Sequence, residues 1–201
     1  MKAAVVTLVS LLTLGVLPLA AQEVPTAAIE NIIAAGGSSE SGTGIETLSQ
    51  GWSMNQRFRH VTISAHLTNG GGSARGIAYL MRSIGPGTTC ADEVANVHFD
   101  LPLGYQGMFT LFSGLDLAAG DYWLVFSKPR RGPFSYANWT TSTPSNLTMG
   151  NRVRYLGMAW VNSEDRIGEY VPASDFNVFT DQFPYQFEVT GEPVRSAPWR
   201  R

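Results

Sequence analysis

The chain has 201 residues, 44% of them hydrophobic and 15% charged, with a formal net charge of -2. So apolar a composition excludes global disorder, and the length suits one domain. The small net charge provides no overall field that would recruit nucleic acid or an anionic membrane.

The first residues read as an export signal. Lys2 supplies a short positive start, Ala3 to Ala20 is apolar apart from Thr7, Ser10 and Thr13, and Pro18 breaks the run before the small residues Ala20 and Ala21. Charge, apolar helix, breaker and small-residue cleavage site is the order of a secretory signal peptide. Cleavage is expected after Ala21, with Ala20 as the alternative, which makes residues 1–21 the signal peptide. A retained membrane anchor is the competing reading, because a run of this length just spans a bilayer. No second long apolar run follows, so no membrane association is expected after cleavage.

Residues 22–44 read as a flexible leader or linker. Ile29, Ile32 and Ile33 have helical spacing, so a marginal helix over Ala27–Ala35 is expected, followed by a Gly/Ser-rich link from Gly36 to Gly42. From Ile45 the period changes to two, and residues 45–190 read as the folded domain, with 191–201 as a tail.

In chain order, Val61, Ile63, Ala65 and Leu67 alternate with Thr62, Ser64 and His66, one dry and one wet face of a strand. Asn69-Gly70-Gly71-Gly72 breaks it. Strands follow at Gly76–Ile84, with Ile77, Tyr79 and Met81 on one face, and at Val94–Leu101, with Val97 and Phe99 together. Gly107–Phe112 and Asp121–Ser127 come next, joined by a tight connection from Leu115 to Asp121. Phe134–Ser142, Arg152–Val161 and Phe183–Val189 complete the series, and Asn162–Gln182 reads as a charged surface loop. Eight or nine short strands with turn signals every ~8–12 residues indicate an antiparallel β-sandwich with jelly-roll or Greek-key connections, a barrel being the alternative.

Several segments within this pattern are family-like: Gly51-Trp52-Ser53-Met54, Ser83-Ile84-Gly85-Pro86-Gly87-Thr88-Thr89, and the run from Leu111 to Val125 through Gly120-Asp121-Tyr122-Trp123. From about Gly51 to Val189 the chain resembles exported β-sandwich proteins of environmental bacteria that carry PEP-CTERM sorting signals. The resemblance implies a surface or matrix protein and assigns no catalytic residues. Val189-Thr190-Gly191-Glu192-Pro193-Val194 reaches the place of the family's Val-Pro-Glu-Pro-like motif, but Ser196-Ala197-Pro198-Trp199-Arg200-Arg201 follows in place of the family's membrane helix, so sorting by that route is not expected.

Residues able to carry chemistry are scattered. His60 and His66 share one strand face but lie ~20 Å apart along it, and His98 would need to join one of them, with Asp100, for zinc. No metal site is therefore expected. Asp92-Glu93, Asp116, Asp121, Glu164-Asp165 and Glu169 fall in turns, where capping explains them. Calcium in a loop stays open as the one cofactor, although Asp-x-Asp-x-Asp spacing is absent. A Gly-x-Ser-x-Gly elbow is missing, and Gly70-Gly71-Gly72-Ser73 joins two strands as a hairpin tip. Cys90 is the lone cysteine, so no internal disulfide forms. Asn138-Trp139-Thr140 and Asn146-Leu147-Thr148 read as chance matches to the glycosylation sequon, and Lys128 with Arg130-Arg131 as a solvated basic turn.

Aromatic residues are the candidate ligand contacts. Tyr136 and Trp139 sit in a stretch rich in Ser, Thr and Asn; Trp123 falls on the face opposite Tyr122, Leu124 and Phe126; Trp160 falls opposite Tyr155, Ala159 and Val161. Exposed rings of this kind stack on sugars, whereas buried ones fill core or rim. The expected function is that of an exported, non-catalytic structural or adhesive protein at the cell surface or in extracellular matrix. Its expected partners are extracellular polysaccharide or other surface proteins. A stand-alone carbohydrate-binding module and a hydrolase with a dispersed carboxylate site are the alternatives.

Overall fold

Alternation of dry and wet side chains builds the longest strands. In β4 (Phe58–Asn69) Val61, Ile63, Ala65 and Leu67 are fully buried while Thr62, His66 and Thr68 stay partly exposed, as the period of two requires. The structure is a computed structural model and describes residues 28–37, 42–44, 48–85, 88–127, 137–161, 176–179 and 184–194.

The other strands are β1 (Glu30–Ala35), β2 (Gly42–Gly44), β3 (Leu48–Met54), β5 (Ala74–Met81), β6 (Glu93–Leu101), β7 (Gln106–Leu117), β8 (Gly120–Ser127), β9 (Ala137–Thr140), β10 (Leu147–Met149), β11 (Val153–Val161), β12 (Phe176–Phe179) and β13 (Phe187–Pro193). They form two antiparallel sheets. Sheet A runs β10-β1-β13-β4-β9-β2, with β7 also paired to β4. Sheet B runs β12-β11-β3-β8-β5-β6. The two inner faces pack on one another, so the molecule is the expected β-sandwich.

One core cluster spans both layers, with Ile32, Ile63, Leu67, Trp139 and Phe187 from sheet A against Trp52, Leu80, Tyr122, Leu124 and Phe126 from sheet B. Rings link the sheets directly. Phe126 meets Trp139 edge-on at 4.7 Å and Trp52 lies 6.0 Å from Phe187, both across the sheets; Trp139 also stacks on Tyr185 at 4.8 Å, and within sheet B Trp52 lies 6.0 Å from Tyr122. Such pairs add ~0.5–1.5 kcal/mol each beyond the area they bury.

The strands beyond the expected eight or nine are short or irregular. The stretch Glu30–Ala35, expected to lie in a leader and to favour a marginal helix, is β1 instead. A bulge between Asn31 and Ile33 turns both Ile32 and Ile33 inward, which breaks period two and imitates helical spacing. The folded domain therefore begins before Ile45. It also continues past residue 190, because β13 runs to Pro193 and the Val194 amide donates to the Arg57 carbonyl at 2.9 Å. In the expected loop Asn162–Gln182, Phe176–Phe179 forms β12 against β11. β3 went unrecognised because Ser49, Gln50 and Gly51 are all buried and hide its alternation.

Candidate functional site

Trp139, one of the four candidate ligand contacts, belongs to the core. It stands on β9 with none of its surface exposed, between Phe126 and Tyr185, and its indole Nε1 donates to the Gln186 carbonyl at 2.8 Å. A polar local sequence concealed this burial, because β9 is paired to β4 and β2 and its alternate face meets sheet B. A ring so enclosed offers no face to a sugar. Trp123 does lie on the face opposite Tyr122, Leu124 and Phe126, but at 8% exposure it is also buried. It belongs to a second cluster on the outer face of sheet B, with Met81 and Ala159 and with Tyr79, Ile84, Val125 and Leu156 packed around them.

Gly51 makes room for that ring. A Cβ at this position would sit 2.6–2.8 Å from Trp123 ring atoms. Trp160 occupies β11 opposite Leu48 of β3 and Asn177 of β12. Its side chain lies outside the described residues, as does all of Tyr136. A bulge between Tyr155 and Gly157 shifts parity along β11, so Tyr155 packs on the main core and Ala159 joins the outer cluster. These two were expected on a common face. The candidate contacts Trp123 and Trp139 thus stand on different sheets, one on an outer face and one in the interior.

Histidines and carboxylates are dispersed. His60, at φ 50°, is exposed and its Nδ1 lies 3.2 Å from the Glu192 carboxylate. His66 Nδ1 meets the Thr140 hydroxyl at 2.8 Å, and His98 is exposed on β6 in the other sheet. Asp116 pairs with Arg57 at 2.8 Å and Asp100 with Arg75 at 2.9 Å, all four side chains about half exposed or more. Asp92 caps the single-turn helix Cys90–Asp92. The Thr89 backbone amide, with the Ser83 and Thr89 hydroxyls, holds its carboxyl below the ordinary range. Cys90 is exposed at the start of that turn. Among the described residues no three of His, Cys, Asp and Glu converge.

What the strand pairing does assemble is the outer face of sheet A. Thr62 lies beside Thr190, which faces Asn31, whose amide donates to the Thr148 hydroxyl at 3.0 Å. Ser64 lies between Glu188 and Thr110, with its hydroxyl 3.2 Å from that of Thr110. His66 lies between Thr140 and Met108, and Thr68 between Asn138 and Gln106. The rows repeat at ~4.8 Å across strands and ~6.8 Å along them; Ser64 and Thr140 are buried within them, while Thr62, His66, Thr68, Thr110, Thr148, Thr190, Asn31 and Met108 reach the surface, with Glu188 as the carboxylate within the rows. Residues on β4 were legible as a wet strand face. Their partners Thr110, Thr190 and Asn31 were not, since register alone brings them alongside.

Fold and face together define a two-sheet antiparallel β-sandwich with one polar outer face and one partly apolar one. No family model, curated protein or solved structure matches this chain.

Proposed function

We propose that this chain is an exported, non-catalytic β-sandwich protein with a structural or adhesive role at the cell surface or in extracellular matrix, and that the outer face of sheet A is its contact surface. The observation that carries the reading is the set of rows centred on Thr62, Ser64, His66 and Thr68, a broad face of hydroxyl and amide groups with little charge. Such groups exchange hydrogen bonds with the hydroxyls of a polysaccharide and can do so through bridging water. The export-signal pattern of Met1–Ala21 and the likeness of Gly51–Val189 to PEP-CTERM-associated sandwich proteins point to the same setting. A carbohydrate-binding module that stacks sugars on Trp123 and Trp139 is not carried forward, because both rings are buried.

Retention of the full chain on insoluble extracellular polysaccharide tests the reading. Replacing Thr110→Glu and Thr190→Glu together puts two further carboxylates on the face, at one exposed and one half-buried position. Retention is expected to fall about tenfold, equivalent to ~1.4 kcal/mol, with the circular dichroism spectrum unchanged. Equal retention of the two proteins would rule out this face as the contact surface.

A further inference from the structure

Asn69 ends β4 where the chain crosses from sheet A to sheet B, and it fastens that crossing to a second one. β4 leads through residues 70–73 into β5, and β6 leads through residues 102–105 back to sheet A and β7. Asn69 is buried, and its Nδ2 donates to the carbonyls of Leu101 at 2.9 Å, Pro102 at 3.1 Å and Gly72 at 3.4 Å. Its Oδ1 accepts from the Gly71 amide at 3.1 Å. Its main chain donates to the Tyr105 carbonyl at 2.8 Å and accepts from the Gly104 amide at 3.0 Å.

This place requires an uncharged amide. Three carbonyl oxygens need a donor, and one backbone amide needs an acceptor. A carboxylate supplies no donor, and its charge would be buried against three oxygens.

The residue that follows is Gly70, and Asn69-Gly70 is the one Asn-Gly pair in the sequence. No side chain shields the glycine nitrogen in such a pair. That nitrogen attacks the asparagine Cγ and closes a succinimide ring as the Cγ–Nδ2 bond breaks. The proton of the glycine nitrogen leaves with Nδ2 as ammonia. Water then opens the ring at either carbonyl, which leaves an aspartate linked through its main chain or through its side chain. No oxidant or reductant takes part. In the fold, both ends of the Asn69 amide are pinned, so the nitrogen reaches Cγ only after those hydrogen bonds break.

We propose that Asn69-Gly70 is a site of spontaneous deamidation that the native fold closes and unfolding opens, and that the product cannot rebuild the clasp between the two crossings. Each unfolding then removes a fraction of the chains for good, and the lifetime of the protein follows how often this turn opens. The site goes beyond the contact surface of sheet A and does not depend on it.

The test holds the full chain at mildly alkaline pH, in buffer and in the same buffer with guanidinium chloride. Peptide mass mapping follows the exchange of amide for carboxyl at Asn69, and dilution gives the fraction that refolds. Exchange is expected to be at least about tenfold faster in denaturant, because the native chain reacts only from its open fraction. The refolding fraction is expected to fall in step with it. Equal rates in the two samples, or full refolding of modified chains, would overturn the proposal. Gly70→Ala puts a methyl beside the attacking nitrogen and leaves the turn intact, since a Cβ there meets nothing within 4 Å and the backbone is not left-handed. It is expected to slow the exchange in denaturant about tenfold, and an unslowed rate would count against this pair as the site. Asn69→Asp, made directly, is expected to lower the folding equilibrium constant about a hundredfold or more. A variant as stable as the parent would show that the clasp does not need its amide and would also defeat the proposal.

Discussion

Gln50 shows how a polar side chain can be required in an apolar core. It sits on β3, fully buried, and its amide grips the main chain of Tyr185 both ways, with Nε2 donating to the carbonyl at 3.3 Å and Oε1 accepting from the amide at 2.7 Å. The side chain thus acts as a short piece of strand joining one layer to the other. Substituting Gln50→Met keeps the volume but orphans two buried backbone groups. The expected loss is ~1–3 kcal/mol, seen as a lower denaturant midpoint with an unchanged slope. Gly51, the next residue, faces the opposite way beneath Trp123. Gly51→Ala should displace that ring, costing ~1–3 kcal/mol and shifting tryptophan emission to the red. Neither role was readable from the chain, where Ser49-Gln50-Gly51 shows no alternation of apolar and polar residues. A buried Gln is tolerable only because a particular distant backbone segment meets it.

Alternation showed where most strands lie, while bulges obscured which way their side chains face: β11 was located at Arg152–Val161 but its faces were misread, and β1 was missed altogether. β4, β6 and β8 keep two-residue periodicity over much of their length, and their expected positions overlap the observed ones. β1 and β11 each contain a register shift that moves two neighbours to the same side or reverses the face of all that follows. One inserted residue is enough, since successive side chains otherwise alternate strictly. The candidate contact Trp139 failed for a related reason. The residues around it are polar because they face outward from β9, and the strand turns every second side chain into the core.

At the scale of the molecule, the tyrosines report on the closed sandwich. Tyr155 buries its phenol oxygen without a hydrogen-bond partner, and this burial, with Tyr185 nearby, pushes its pKa far above the ordinary value. Tyr122 is raised by burial too, although the Arg82 guanidinium 4.2 Å above its ring opposes the shift. Both phenols stay neutral in the folded state after they would ionise in the unfolded chain. Stability is therefore at its plateau below about pH 10 and falls as the pH rises beyond it, because the unfolded state releases these protons first. Thermal unfolding followed from pH 8 to 11 should show a declining Tm above about pH 10. In Tyr155→Phe that decline should be shallower.

Composition and alternation by themselves determined that this protein is all-β, because a period of two and the spacing of Gly and Pro turns are local properties of the chain; that the strands form two packed sheets and not a barrel was decided in the tertiary structure. Which strands neighbour one another, where bulges reverse a face, and which aromatic rings end inside were decided only in the tertiary structure. Those outcomes depend on register between segments more than a hundred residues apart, such as β1 with β13, and no local pattern encodes it.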